Sequence, residues 1–387
     1  MDRRQFLKIV GAGAAAAGAQ PVLNYAAASV GEYRNLLILI ELKGANDGLN
    51  SVIPFDDPLY LRLRPKLAIP RVQIVQLASG TGLHPQLAKL KSIWDGNELA
   101  IVQGIGYPGP NLSHFRSIEI WDTASKSDEY LNDGWLARTF VAKPTPREFA
   151  ADGVVVGSND MGPLAGLGTR TIALTNTEAF LRQARLAQPS GDKRNAALKH
   201  ILTVERDIVQ AAGKLNAGYI FKAEFPGSRF GNAVKTAAQL VASNAGIAVI
   251  RLTLNGFDTH ANQLATQANL LRDLGDGLEA LKSALLELNR WNSTLVMTYA
   301  EFGRRPQENQ SGGTDHGTAN VHFVAGGRVK GGLYGQAPQL DRLDGAGNLP
   351  FAIDFRSLYA TALERWWGVD SKPVLGQKFP LLDLLRS

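Results

Sequence analysis

Short apolar runs recur along the chain and alternate with segments in which apolar residues have helical spacing. The runs are typical of strands that are buried on both faces of a sheet. They cover Leu36–Ile40, Leu99–Val102, Gly246–Leu254, Thr294–Tyr299 and Val321–Val324. Helical spacing is found in residues 87–94, from about 113, and in 195–213, 233–243, 262–289 and 354–367. This alternation predicts an α/β domain whose mostly parallel central sheet lies between helices.

Polar residues follow several of these predicted strands directly. Asp47 comes after the first strand, Asp258 and His260 follow the third, and Glu301 follows the fourth. The carboxyl ends of parallel strands share one edge of a sheet, where ligands usually bind in open α/β folds. We therefore expect these side chains to lie at the same edge.

The predicted elements fit one main domain from residue 29 to residue 387. The segment 125–182 mixes turn residues with short apolar runs and shows no clear period. We interpret it as an insertion, and it could cover a site at the sheet edge. No later segment is long and apolar enough for a transmembrane helix, so we expect no stable membrane span.

The first 28 residues have the pattern of an export signal. Arg3 and Arg4 precede Phe6-Leu7-Lys8, a Gly/Ala-rich stretch follows, and cleavage is expected after Ala28. This pattern resembles a twin-arginine signal peptide. It predicts the twin-arginine export machinery as a partner and a periplasmic or secreted location. Since that route carries folded proteins, a metal could be inserted before export.

Composition narrows the chemistry. The chain has no cysteine, which excludes thiolate nucleophiles, disulfides, iron-sulfur ligation and sulfur-ligated zinc. The formal charge is +6, but no cluster of Lys and Arg is interleaved with aromatic residues, so no nucleic-acid partner is expected. Any metal must be bound by oxygen and nitrogen, which suit divalent ions such as zinc, manganese or calcium.

Two carboxylate-histidine pairs are the strongest chemical signal: Asp258 with His260, and Asp315 with His316. Together with Asp47 and Glu301 they could bind one or two divalent ions. Ser113 stands where a loop meets a helix and could be a nucleophile or only a helix cap. We expect His84 and His200 to be surface or hydrogen-bonded residues, His322 to face one side of a strand, and Arg304 and Arg305 to be solvated.

Five short motifs are similar to those of an exported family of unknown function, DUF1501. They are Gly-Ala-Asn-Asp-Gly at 44–48, Asn-Leu-Ser-His-Phe-Arg at 111–116, Phe-Asp-Thr-His at 257–260, Glu-Phe-Gly-Arg at 301–304 and Thr-Asp-His-Gly at 314–317. The resemblance runs from about residue 32 to the end. The family is grouped with the alkaline phosphatase and sulfatase superfamily, so it implies an alkaline-phosphatase-like fold.

The resemblance also implies roles for residues. Asp47, Asp258, His260 and His316 would bind metal, Ser113 would be the nucleophile, and Arg116 could neutralise phosphoryl or sulfuryl oxygens. The superfamily commonly has an Asp-His pair where this chain has Glu301-Phe302. Either Asp315-His316 is that pair displaced, or Glu301 replaces the earlier ligand. His114 could be a ligand or a neighbouring support.

These roles imply a metal-dependent hydrolase of a phosphate or sulfate ester, acting on an anionic ester or an envelope substrate. The alternative is a non-catalytic, degenerate relative that binds envelope polysaccharide or a partner protein. An esterase or phosphomutase of another class is a further alternative.

Overall fold

The apolar runs form strands of one central sheet in the computed structural model, which describes residues 33–174, 214 and 218–386. The strands are β1 Leu36–Lys43, β2 Val52–Ile53, β3 Val75–Ala78, β4 Thr81–Leu83, β5 Leu99–Gly106, β6 Ala151–Val156, β7 Thr171–Leu174, β8 Ile247–Asn255, β9 Thr294–Tyr299, β10 Arg304–Glu308, β11 Thr314–His316, β12 Asn320–Ala325, β13 Gly332–Gly335 and β14 Ile353–Asp354. The helices are α1 Gly48–Ser51, α2 Pro58–Leu63, α3 Leu90–Asp95, α4 His114–Thr123, α5 Trp135–Ala142, α6 Arg229–Ala242, α7 Gln263–Glu287, α8 Phe355–Thr361 and α9 Lys372–Leu375.

The central sheet has nine strands in the order β13-β5-β12-β9-β1-β8-β6-β7, with β14 paired to β5 beside this path. Strand β12 runs antiparallel to β5 and β9, and the other pairings described in this sheet are parallel. Strand β1 lies between β8 and β9. As a result, the loops that follow β1, β8 and β9 leave the same edge of the sheet.

Alternate residues of the buried strands pack against helices on opposite faces of the sheet. Leu36, Ile38 and Ile40 of β1 belong to one apolar core, while Leu37 and Leu39 belong to the other. Helices α3, α6 and α7 contribute to the first core, and α4, α5 and α8 contribute to the second. Such a doubly covered sheet explains why its strands are continuous apolar runs.

The predicted α/β class, with a mostly parallel sheet between helices, is confirmed. The predicted strand at residues 294–299 has the same bounds in the structure. The segment from residue 125 is not simply an insertion, because its strands β6 and β7 extend the central sheet beyond β8. The predicted signal peptide, its cleavage position and the helix at 195–213 lie outside the described residues.

Within the described residues, none of the helices combines the length and the hydropathy that crossing a bilayer requires.

Candidate metal centre

Three side chains from distant parts of the sequence converge at the edge of the sheet where β1, β8 and β9 end. They are His114 at the first turn of α4, Asp258 after β8, and His316 at the end of β11. One potential ligand atom from each lies within 4.8 Å of the other two. His114 Nε2 is 3.4 Å and His316 Nε2 is 3.2 Å from Asp258 Oδ1. The structure therefore supplies a cluster of the residue types that bind divalent metals.

A fourth side chain, His260, borders the same cluster. Its Nε2 is 3.0 Å from Asp258 Oδ1 and 2.9 Å from His316 Nε2. The opposite ring nitrogen, Nδ1, is 3.4 Å from Asp315 Oδ1. Asp315 thus lies behind His260, and Asn309 Nδ2 donates to the same carboxylate oxygen at 3.2 Å.

Hydrogen bonds fix the tautomers of two of these imidazoles. His316 Nδ1 is 2.8 Å from the carbonyl oxygen of Leu112, and His114 Nδ1 is 2.7 Å from Glu301 Oε1. A carbonyl or an ionised carboxylate only accepts, so Nδ1 of each ring must donate its proton. In the neutral ring, Nε2 then carries the lone pair, and that lone pair faces the cluster. Metal-binding histidines usually have this arrangement.

The spacing of the cluster fits a bound cation. Ligands at about 2.1 Å from a tetrahedral metal lie roughly 3.4 Å from one another. The distances from Asp258 Oδ1 to the three Nε2 atoms, between 3.0 and 3.4 Å, are close to this value. Without a proton or a cation between them, Nε2 lone pairs and a carboxylate oxygen at such distances repel each other. His114 Nε2 is also buried without a hydrogen bond to any described residue.

Arg304 fixes the position of the Asp258 carboxylate. Its side chain is fully buried, and Nη2 donates to Asp258 Oδ1 at 2.7 Å. The same guanidinium donates to carbonyl oxygens of the loops after β1 and β8 and of β11. Partial burial raises the pKa of Asp258, but the hydrogen bond and charge of Arg304 outweigh burial and lower it to about 2. Asp258 is therefore ionised at neutral pH.

The hairpin of β10 and β11 brings Arg304 opposite His316. The glycines beside the Thr-Asp-His motif permit this close packing. A Cβ atom on Gly313 would lie 2.3 Å from the backbone of His260, and one on Gly317 would lie 2.5 Å from the backbone of Arg304. Any larger residue would push the hairpin away from the cluster.

Glu301 lies behind His114 and is 2% exposed. Its Oε1 accepts from the backbone nitrogen of Gly44 at 3.0 Å as well as from His114. Its Oε2 is buried and has no hydrogen-bond partner among the described residues. The hydrogen bond to Glu301 raises the pKa of the His114 imidazole, whereas burial lowers the pKa of His316. Glu301 is placed to orient His114, and its second oxygen is free to bind a cation.

Asp47, which the sequence predicts as a metal ligand, lies apart from the imidazoles. Both of its carboxylate oxygens accept from the fully buried Arg64, at 2.5 and 3.0 Å. The backbone nitrogen of Leu49 and Nε2 of Gln263 also donate to it. As the N-cap of α1, Asp47 has its hydrogen-bonding capacity filled by protein groups. This arrangement gives it a structural role in place of a ligand role.

Ser113 is the N-cap residue of α4, but its side chain makes no capping hydrogen bond. Its backbone nitrogen donates to Asn111 Oδ1, and its side chain is exposed. The residues on either side both contact the cluster: the Leu112 carbonyl accepts from His316, and His114 faces Asp258. Ser113 is therefore held at the rim of the cluster with its hydroxyl free.

Arg116, which the sequence places beside the reacting group, points elsewhere. Its Nη2 donates to the backbone carbonyls of residues 126, 127 and 129, and its Nη1 is 2.9 Å from Glu119. The guanidinium also stacks on the ring of Tyr130 at 3.8 Å. These contacts tie Nη2 to the loop after α4, while Nε and Nη1 make no hydrogen bond to any described residue.

The remaining histidines of the described residues lie outside the cluster. His322 is a fully buried residue of β12, as the strand pattern predicts, and burial lowers its pKa to about 3. His84 is buried and accepts from the backbone of Gln86, so it is hydrogen-bonded as expected but not at the surface. His200 lies outside the described residues.

From the sequence, His114 is either a ligand or a neighbouring support, and Arg304 is expected to be solvated. For His114, the available signal was its position directly after Ser113 at a helix start. The expectation for Arg304 is wrong, since its side chain is fully buried. Burial of an arginine depends on carbonyl acceptors from several loops, and a single motif does not show these.

The solved structures that resemble this chain in fold are distant from it in sequence. A protein of the alkaline phosphatase superfamily from Vibrio parahaemolyticus has 12% identity and a TM-score of 0.43, covering 99% of this chain and 80% of its own. The lipoteichoic acid synthase LtaP from Listeria monocytogenes has 10% identity and a TM-score of 0.39, covering 95% and 78%. The alkaline phosphatase from the Antarctic bacterium TAB5 has 12% identity and a TM-score of 0.36, covering 77% and 92%.

No curated protein matches the sequence. A family model does match it, over residues 101–377, and that family is described as a protein of unknown function, DUF1501. The matched region includes His114, Asp258, His260, Glu301 and His316. Because the match extends over well more than half of the 387 residues, the chain belongs to the DUF1501 family.

Proposed function

We propose that this protein is an exported, metal-dependent hydrolase of a phosphate or sulfate ester. The observation that carries the proposal is the convergence of three imidazole Nε2 atoms on Asp258 Oδ1, with His114 and His316 in the tautomer that metal binding needs. His114, Asp258 and His316 would bind a divalent cation such as zinc, manganese or calcium, with His260 as a further ligand. Glu301 Oε2, which has no hydrogen-bond partner among the described residues, is a candidate ligand for a second ion.

The role proposed for each residue follows from its position in the structure. A bound divalent cation would polarise the ester and lower the pKa of a nearby hydroxyl. Ser113 supplies that hydroxyl at the amino terminus of α4, where the helix dipole favours negative charge. Its oxygen would bond to phosphorus or sulfur while the bond to the alcohol breaks, and water would then release the anion from Ser113.

The location is part of the proposal. Arg3 and Arg4, followed by the Gly/Ala-rich stretch, support export by the twin-arginine route. The double substitution Arg3→Lys and Arg4→Lys is expected to keep the protein in the cytoplasm. Cell fractionation measures this, and unchanged export of the double variant would contradict the assignment.

Metal binding is the direct test of the cluster. Full-length protein freed of metal by chelation is titrated with zinc and with manganese, and bound metal is measured by mass spectrometry. We expect at least one ion per chain, and Asp258→Asn should lose it because the central oxygen donor is weakened. The matched control is Asp341→Asn at an exposed aspartate, which should retain full stoichiometry. Retention of metal by Asp258→Asn would contradict the site.

Turnover separates the nucleophile from the metal ligands. Ser113→Ala should bind metal like the unmodified protein but lose hydrolysis of 4-nitrophenyl phosphate and 4-nitrophenyl sulfate. Turnover unchanged in Ser113→Ala would contradict the serine mechanism and leave the metal site intact.

A non-catalytic role is the second candidate, and one observation favours it. Arg116 Nη2 donates to three carbonyls of the loop after α4, and Arg304 donates to four backbone carbonyls and to Asp258, with His260 Nε2 at 3.5 Å from its Nη1. An ester anion at the cluster would then receive no hydrogen bond from Arg304, the arginine that contacts Asp258. A chain that binds metal but hydrolyses neither ester, while retaining affinity for envelope polysaccharide or a partner protein, would establish this alternative.

A further inference from the structure

A cavity of about 260 Å³ lies next to the candidate metal centre. Residues of α1, β5 and the start of β12 form its floor, and residues 336–339 and 349–352 form its rim. Arg304 belongs to both places, since it lines the cavity and donates to Asp258. The volume is near the lower end of the range for small-molecule sites, about 300 Å³.

Three glutamine side chains line this cavity without a hydrogen-bond partner among the described residues; Gln336 and Gln339 are exposed at its rim, and Gln103 is nearly buried. The amides of Gln103, Gln336 and Gln339 make no hydrogen bond to any described residue. Gln103 is the most informative, because it lies on central strand β5 and is only 6% exposed. Buried amides are almost always hydrogen-bonded. An unpartnered, nearly buried amide that lines a cavity indicates a ligand or solvent partner there.

Asn320, another amide that lines the cavity, differs from the glutamines because its side chain is hydrogen-bonded to the protein. Asn320 Nδ2 donates to the carbonyl oxygen of Phe302 at 2.9 Å, and its Oδ1 accepts from the backbone nitrogen of Val321 at 2.8 Å. Asn320 is therefore a structural amide whose donors and acceptors support the chain. The three glutamine side chains make no such hydrogen bonds to the described residues.

The cavity presents no free charge. Arg304 is its single ionisable lining residue within the described part of the chain, and its guanidinium contacts four backbone carbonyls, Asp258 and, at 3.5 Å, His260 Nε2. The rest of the wall is apolar or amide, with the buried side chains of Leu49, Val52 and Leu349 and the exposed ring of Phe351. Desolvating an anion here would not be compensated, so the cavity suits a neutral ligand.

We propose that this cavity is a subsite for a neutral sugar unit. A pyranose has vicinal hydroxyls that both donate and accept, which matches amides able to do the same. Its C–H faces are apolar and match the leucine, valine and phenylalanine side chains. The assignment of this sugar as the alcohol part of the ester rests on the proposed function, but sugar binding itself does not.

Binding to the full-length protein is measured by saturation-transfer NMR and calorimetry in the presence of a chelator, so that metal plays no part. The probes are maltose, cellobiose, glucose, glucuronate and the peptide triglycine. We expect at least one neutral sugar to bind, and glucose to bind more tightly than its charged counterpart glucuronate. No binding of any neutral sugar, tighter binding of glucuronate, or tighter binding of the peptide triglycine would overturn the proposal.

Two variants and a control locate the subsite. Gln103→Leu keeps the volume of the side chain but removes its hydrogen bonds, and it should weaken sugar binding about tenfold. Gln339→Leu at the exposed rim should weaken it less and cannot fail through loss of the core. Gln76→Leu, an exposed glutamine of β3 outside the cavity, should bind like the unmodified protein. Unchanged binding in both cavity variants would overturn the assignment.

The two proposals fail in different ways. Sugar binding in chelated protein that never binds metal would support the subsite and remove the hydrolase. Metal binding and ester turnover without any sugar binding would support the hydrolase and overturn the subsite.

Discussion

Two aspartates follow neighbouring strands of the same sheet and have opposite surroundings. Asp47 follows β1 and is 1% exposed, while Asp258 follows β8 and its side chain is 48% exposed. Asp47 accepts from Arg64, Gln263 and a helix backbone. Asp258 accepts from Arg304 and faces three imidazoles. In the sequence the two look alike, because each is an aspartate that follows a buried strand.

The two aspartates differ in the groups that surround their carboxylates. All the close partners of Asp47 are hydrogen-bond donors, so its charge is compensated within the protein. Around Asp258, only Arg304 must donate, and the imidazoles can offer lone pairs to a cation. A carboxylate at a strand end is thus a metal-ligand candidate only when its neighbours are also able to be ligands.

The largest expected effect is on the stability of the Asp47 region. Asp47→Asn places an amide against buried Arg64 and leaves the guanidinium charge uncompensated, which should cost about 3–5 kcal/mol of unfolding free energy. Asp258→Asn should cost less than about 1 kcal/mol, because Asp258 is half exposed and Arg304 keeps its carbonyl acceptors. Urea unfolding of metal-free protein measures both. Equal losses would erase the distinction between the two aspartates.

The next effect concerns the residue that orients His114. Glu301→Gln removes the carboxylate behind the imidazole, and such changes typically cost 10–100-fold in metal affinity. The variant should still bind metal, unlike Asp258→Asn. Calorimetric titration at about pH 8 measures the change. An affinity equal to that of the unmodified protein would show that Glu301 does not act on the metal through His114.

This second effect has a pH dependence with a defined sign. Glu301 raises the pKa of His114, so the folded protein gains stability from this proton below the ordinary value of 6.5 and loses it as pH rises through the raised pKa. Protons compete with metal in the same window. The deficit of Glu301→Gln should therefore shrink as pH falls from about 8 to about 6. A constant deficit would contradict the coupling.

The smallest effect concerns an imidazole that belongs to neither region. Burial lowers the pKa of His322 to about 3, so the unfolded chain binds a proton below 6.5 that the folded chain does not. Its contribution to stability is present above 6.5 and is lost as pH falls toward 3. His322→Phe should remove about 1 kcal/mol of the loss between pH 7 and about pH 5.5. Urea unfolding at both values, compared with unmodified protein, measures the difference, and parallel losses would contradict it.

The strands were predictable because two-sided burial leaves a strong local signal. The runs at β1, β5, β8, β9 and β12 are mainly apolar, and all of them lie in the central sheet. Strands β6 and β7 were not assigned to the sheet. The run Gly153–Val156 is visible in the sequence, but its pairing with β8 joins residues about 100 positions apart, which no local pattern encodes.

Part of the cluster was also predictable. Asp258, His260 and His316 were identified because carboxylate and imidazole occur together at strand ends and in a glycine-rich hairpin. Two arginines whose contacts the sequence did not predict show which information was missing. Arg116 is only two residues after His114 in the same motif, yet its Nη2 donates to carbonyls of residues 126, 127 and 129. Arg304 is held by carbonyls of the loops after β1 and β8 and of β11.

The sequence by itself determined the strands, the residue types available for chemistry and the absence of sulfur ligands, because hydrophobic period and composition are local properties. The tertiary structure alone decided that His114, Asp258 and His316 meet and that Asp47 is compensated by Arg64. The physical reason is that ligand, ion pair and cap differ only in which atoms lie within about 3 Å of a carboxylate, and those atoms come from distant segments.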